Sequence, residues 1–182
     1  MSESVRSAMV EAAWLLIAER GLEGMSTREV LARTGAPRGS VYHYFPRGRT
    51  ELIEHAIDHS RGWMQDQIGA LRAETPDDVV TGYIDIWRRV VEGTGFRAGC
   101  AATGVVIGGY DPDLLDRAAA AFQAAIDALA DRFQQLGLTA NQAARRATML
   151  VTAAEGAVVL ARAHRSVEPL ALVAEQLSEN GT

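Results

Sequence analysis

The chain has 182 residues, of which 48% are apolar, so a sizeable core can be buried; no run of about 18 apolar residues is free of charge, and no transmembrane helix is expected. One cysteine, Cys100, excludes an internal disulfide framework and any multi-cysteine metal site, and no cofactor or metal signature accompanies it. The net charge of −5 argues against a nucleic-acid partner only until it is located: residues 1–50 hold seven arginines and five acids, a balance of +2, and the rest of the chain carries −7, so any basic face is N-terminal.

Almost every segment reads as helix, because strict period-2 alternation over strand length is absent. Met1 to Arg6 carry an acid and no apolar run, so no signal peptide is expected and the cytoplasm is the expected compartment. The first helix is predicted from Ser4 to Arg20, with Met9, Ala12, Ala13, Leu16 and Ile17 at helical spacing on the core side and Gly21 as the stop. Ser26-Thr27-Arg28-Glu29 has the form of a capping box, flanked by Met25 and Val30 as a hydrophobic staple, and starts a short second helix that ends at Gly35. A third short helix is predicted over Arg38 to Phe45, ended by Pro46 and Gly48. A long fourth helix follows from Arg49 to Ala73. Its length would be nearly ~40 Å.

Thr75-Pro76-Asp77-Asp78 supplies a cap, a first-turn proline and two acids for a fifth helix ending near Gly93 or Gly95. Further helices are predicted over Cys100 to Ile107, from Asp111 to near Gly137, from Thr139 to His164 behind a second capping-box pattern, and from Val167 to Glu179. The fold class is all-α with about nine helices. The boundary falls at 48/49, between a small N-terminal three-helix domain and a helical C-terminal domain.

Two short helices joined by a tight glycine-bearing turn have helix-turn-helix geometry, although a plain helical hairpin looks similar. The composition of the third helix separates the two. Val41 and Phe45, four apart, can face the core. Arg38, Ser40, Tyr42 and His43 are then left outward, as hydrogen-bonding groups suited to phosphates and base edges. The N-terminal ends of the second helix (Ser26, Thr27, Arg28) and the fourth (Arg47, Arg49) add positive potential for phosphate.

Met9 to Leu52 resembles the N-terminal region of the TetR family of transcriptional regulators. The pattern runs through Ala12-Ala13, Gly21, Ser26-Thr27-Arg28-Glu29-Val30, Gly35, Ser40-Val41-Tyr42-His43-Tyr44-Phe45 and Glu51-Leu52. Phe45 to Leu52, the Gly99-Cys100 pair, Glu155-Gly156-Ala157 through Ala161-Arg162, and Glu168-Pro169-Leu170 are similar to the LmrA/YxaF-like branch. Three departures stand out. Arg49 replaces the usual lysine, Pro37 replaces a capping Ser or Thr, and Ala101 follows Gly99-Cys100 where the branch often has proline.

The resemblance implies that Thr27 and Tyr42, with Arg49, contact phosphates, and that Arg38, Gly39, Ser40 and His43 approach the major groove; Arg28 is either a further contact or a solvated helix-start residue. It also implies a homodimer whose last two helices form a four-helix bundle. Ala153, Ala154, Gly156 and Ala157 would then allow close contact, and Leu170, Val173, Ala174 and Leu177 would form a seam, unless these residues fill the protomer's own core. A single helix-turn-helix reads only a few base pairs, so two copies about 34 Å apart suit a near-palindromic double-stranded DNA operator.

The family usually senses a small molecule within its C-terminal helices. Trp63, Tyr83, Trp87, Phe96, Cys100, Phe122 and Met149 are the candidate lining, suited to an aromatic or lipophilic effector, with plain core as the alternative. The implied function is a ligand-relieved repressor. An activator of the same fold is a second reading. A helical protein-interaction module without DNA readout is a third, and would lack the basic N-terminal face. A Cys100 nucleophile with His55 or His164 as base has no motif behind it, and only Arg97 lies near Cys100 in sequence as a cation for a redox role.

Overall fold

The computed structural model describes residues 2–109 and 111–179. Among the described residues there are nine helices and no strand, as the periodicity requires. The first, α1, spans Ser2–Gly24, but Gly21 inside it has φ 71° and breaks the helical path at the predicted stop. Met9, Ala12, Ala13, Leu16 and Ile17 are all buried. Helix α2 spans Thr27–Thr34. Ser26 caps it in extended conformation, accepting from the Glu29 amide at 3.2 Å. The box is only half made, since the Glu29 carboxylate turns instead to Arg20, at 2.7 and 2.9 Å. Gly35 ends α2 with φ 67°, where a side chain would be strained.

Helix α3 is shorter than predicted, Ser40–Tyr44. The Ser40 amide donates to the Pro37 carbonyl at 2.9 Å, so residues 37–39 form a turn, and Gly39 offers no side-chain cap. Helix α4 spans Arg49–Gly69, four residues short of the predicted end. At 21 residues its length is about 31 Å. Leu71 is the reason: its side chain folds against Gly82, where a Cβ would meet Leu71 Cδ2 at 2.9 Å, and its carbonyl accepts from Arg132 Nη2.

Helix α5 (Pro76–Gly93) opens with a complete Thr75–Asp78 capping box, whose hydrogen bonds hold the Asp78 carboxyl below the usual carboxylate range. Helices α6 (Ala101–Gly108), α7 (Pro112–Gln135), α8 (Ala140–His164) and α9 (Glu168–Glu179) complete the chain, α8 behind a full Thr139–Gln142 capping box. No helix of the described residues is long and apolar enough to cross a membrane.

Packing divides the chain into residues 1–62 with 101–121, and residues 63–100 with 122–182. This differs from a cut at 48/49. In the first unit the start of α4 belongs with α1–α3, and α6 packs on α1 so closely that a Cβ on Gly104 would lie 3.0 Å from the Ile17 carbonyl oxygen. In the second unit α5, α8 and α9 pack together, and Tyr83, Trp87, Leu129, Phe133, Leu150 and Leu170 are among the residues of its core.

Candidate nucleic-acid interface

In the first unit, α2 and α3 are joined by the turn 35–39, and Val41 and Phe45 anchor α3 in the core with Val30 of α2. Anchoring those two positions leaves the rest of α3 outward. Tyr42 is 68% exposed; Arg38, Gly39 and His43 are also exposed, and Ser40 and Tyr44 are half-buried. The Tyr44 ring meets the His43 ring edge-on at 4.8 Å, so Tyr44 packs locally while His43 stays accessible. Thr27 is half-buried at the first turn of α2, and Arg28 beside it is exposed.

Tyr42 does not wave freely. Its ring lies over Gly48, whose added Cβ would sit 3.1 Å from Tyr42 Cε1, and Gly48 itself has φ 66°. Glycine at 48 therefore serves twice, turning the chain after α3 and giving the tyrosine a flat support. The sequence reading used Gly48 only as a helix breaker.

The arginines divide sharply between paired and unpaired. Arg20 pairs with Glu29, and Arg33 pairs with Glu19. Arg6 donates to His55 at 2.8 Å and lies over the Phe45 ring. Arg47 grips Glu54 through both Nη atoms at 2.7 Å, and Glu54 also faces Arg117 of α7 at 3.3 Å, with Arg117 bound to Asp58 at 2.9 Å. Glu54 is the one buried charged residue among those described, and the Arg47 hydrogen bonds hold its carboxyl below the usual range against the opposing effect of burial. Arg49 donates to two backbone carbonyls, Leu22 at 2.6 Å and Met25 at 2.9 Å. Of the arginines in residues 1–50, Arg28 and Arg38 are the two with no ion pair or hydrogen bond among the described residues. Arg47 and Arg49, expected to face phosphate, are both exposed, but their guanidinium groups are also held, by Glu54 and by two backbone carbonyls.

In the second unit, Tyr83 and Trp87 are core residues one turn apart on α5, and Trp63, Phe96, Cys100 and Phe122 pack against that core. Six of the seven proposed lining residues thus fall in one cluster. Met149 does not: it is 57% exposed on α8, outside the cluster, because its register on α8 is opposite to the buried Ala147, Leu150 and Val151. Burial pushes the Tyr83 hydroxyl far above the usual phenol range; Trp87 opposes this in part, while Glu155 and Cys100 add to it. Trp87 is 4% exposed, and its indole N–H faces the Tyr83 hydroxyl, which is why it opposes the effect of burial there. Phe96 adopts φ 61°, unusual for a side-chain-bearing residue, with its amide on the Val91 carbonyl at 2.6 Å.

The proposed dimer residues separate by register. Ala154 and Leu170 are fully buried in the protomer's own core and Ala157 nearly so, while Val173 and Leu177 pack partly against it. Ala154, Leu170 and Leu177 belong first to the intramolecular alternative, whereas Ala157 and Val173 also line an outward groove. Ala153 and Gly156 do face outward. With Thr152, Leu160, Pro169 and Leu172 they line an open apolar groove of about 570 Å³ on α8 and α9. Thr152, Leu160 and Leu172 were missed, although Met149, Ala153, Gly156 and Leu160 follow the 3-4 spacing of one helix face.

Two family models match the sequence. Residues 9–56 match bacterial regulatory proteins of the tetR family, and residues 76–176 match the C-terminal domain of LmrA/YxaF-like transcriptional regulators. An HTH-type transcriptional regulator of Mycobacterium tuberculosis is 38% identical over 179 residues, covering 94% of this chain and 91% of the relative. The HTH-type regulator YxaF of Bacillus subtilis is 23% identical over 178 residues, covering 94% and 92%. The fold is that of a TetR-family regulator from Agrobacterium tumefaciens (TM-score 0.84, 20% identity, 98% of both chains) and of a TetR regulatory protein from Rhodobacter sphaeroides (TM-score 0.83, 20% identity, 96% and 97%).

Proposed function

This chain belongs to the TetR family of bacterial transcriptional regulators, in its LmrA/YxaF-like branch, and on that premise we propose that it is a homodimeric repressor released from a near-palindromic operator by a small lipophilic or aromatic effector. The carrying observation is the outward face of α3, with Tyr42 exposed and propped on Gly48, together with Arg28 and Arg38, the two N-terminal arginines left unpaired among the described residues. In this reading Thr27 and Tyr42 contact phosphates, Arg28 supplies positive charge beside them, and Arg38, Gly39, Ser40 and His43 meet base edges. It is a DNA-reading protein of the cytoplasm without catalytic activity.

The dimer is assigned to the outward face of α8 and α9. Leu160 and Leu172 are half or more exposed in the groove, whose lining includes Ala153, Gly156 and Ala157, and Met149 is exposed nearer the start of α8. A patch of this kind is seldom left bare on a monomer. The effector is assigned to the cluster around Trp87. Trp63, Tyr83, Trp87, Phe96, Cys100 and Phe122 gather there, and large apolar rings with a few polar tips suit a lipophilic or aromatic effector. Helices α4 and α7 each contribute residues to both packing units, and the coupling role is assigned to α4, whose first turn follows the Gly48 turn.

Selection of bound duplexes from a random library, at two salt concentrations, tests the reading. Recovery of a near-palindrome with half-sites about one turn apart supports it. Weak binding without enrichment refutes it. Once an effector is found, its affinity must differ with and without operator, since coupling is reciprocal.

A further inference from the structure

Arg49 opens α4 at the position where the family motif carries a basic residue for phosphate, and although the residue is exposed its guanidinium is held on two backbone carbonyls. Nε donates to the Met25 carbonyl at 2.9 Å and Nη2 to the Leu22 carbonyl at 2.6 Å. Leu22 lies in the last turn of α1, and Met25 leads into the Ser26 cap of α2. Both carbonyls lie past the Gly21 break, outside any regular helical ladder, and among the described residues the Leu22 carbonyl otherwise accepts only a long 3.3 Å bond from the Met25 amide, so a charged donor is favourable at both.

We infer that Arg49 is a positioning residue for DNA binding, a brace that ties the first turn of α4 to the α1–α2 joint, and not a phosphate ligand. The brace fixes two places relative to each other. One is the start of α2, where Thr27 and Arg28 sit. The other is the turn at Gly48 that supports the Tyr42 ring. Both must reach the DNA backbone at one spacing, so loosening the joint adds an ordering cost to binding without deleting any contact. The fork of an arginine suits two acceptors three residues apart, whereas lysine offers a single point charge. Arg47, two residues earlier, is likewise held by Glu54, although its side chain stays 62% exposed.

This inference rests on the DNA-binding reading, and operator selection with the wild-type chain tests that reading separately. The full-length protein, R49K and R49Q are titrated with the selected operator across a range of salt concentrations, after circular dichroism confirms helix content. Both variants should bind the operator about three- to tenfold more weakly, the cost of ordering one loosened joint. Their salt slopes should match wild type, and their affinity for random duplex should fall by a similar factor, because the contacts spaced by the brace are to phosphates. A phosphate ligand would behave otherwise: R49K would bind as wild type, and R49Q would lose about one unit of salt slope. That result, or wild-type affinity in both variants, overturns the inference. Should the variants not fold, the Arg49 Nε–H resonance of the wild-type protein decides. It should be protected in the free protein and unmoved by operator; a shift on adding operator overturns the brace.

Discussion

Replacing Gly99 by alanine probes the Gly99-Cys100 pair, for which the sequence offered only a family likeness. A Cβ at this position would lie 3.1 Å from Arg162 Nη1, 3.2 Å from Arg162 Cδ and 3.2 Å from Val158 Cγ1. The backbone there lies outside the left-handed region, so the contact alone decides the outcome. Neither neighbour can yield easily. Val158 is buried in the core, and Arg162 is held through Nη2 on the Arg97 carbonyl at 2.7 Å. Overpacking of this kind costs about 1–3 kcal/mol. Alanine recovers about 0.4–1 kcal/mol by restricting the unfolded chain. At the middle of both ranges the net loss is about 1.3 kcal/mol, or about 3–5 °C in midpoint for a chain of this size. Thermal unfolding at one fixed protein concentration measures it, because association would otherwise shift the midpoint. In an R162A background the same substitution should cost less, since two of the three close contacts are gone. A G99A protein as stable as wild type would refute the claim that α8 approaches residue 99 too closely for a side chain.

Tyr42→Ala should weaken binding to every duplex alike and lower the salt slope by about one unit, read by fluorescence anisotropy at several salt concentrations. Arg38→Ala should instead cost about 1–3 kcal/mol at selected operator positions and relax preference there, which repeated duplex selection would reveal. Glu54→Gln should flatten the acid limb of the stability profile. The folded carboxyl titrates below its usual 4.5, so its contribution is complete above that pH and is lost as pH falls through the lower folded value; urea midpoints from pH 7 downward check this. Leu160→Glu should convert a dimer to a monomer of unchanged helix content, measured by sedimentation, because a charge placed in the α8–α9 groove would be desolvated on pairing.

Local chemistry accounts for how much of the fold was legible. Gly21 and Gly35, with their positive φ, and Ser26, Thr75 and Thr139 as caps are signals that act within a few residues, and each appears where it was read. The ends that moved are those set from a distance. Helix α4 stops at Gly69 because Leu71 is drawn to Gly82 and its carbonyl to Arg132. Glu29 leaves its capping box because Arg20, nine residues earlier, competes for its carboxylate.

The same division runs through the candidate site. Alternation of small, apolar and polar residues along 38–45 was enough to identify α3, to sink Val41 and Phe45, and to turn Tyr42 and His43 outward, since one helix period dictates all four. Which arginines remain free for DNA was not in the sequence, because Arg47 finds Glu54 a helical segment away and Arg49 finds carbonyls 24 and 27 residues back. Likewise, an apolar residue on α8 or α9 announces only that it will be buried. Tertiary packing decided that Ala154 and Leu170 fill the protomer's own core while Met149, Leu160 and Leu172 stay outside, because only the packed neighbours define which face of a helix is already covered.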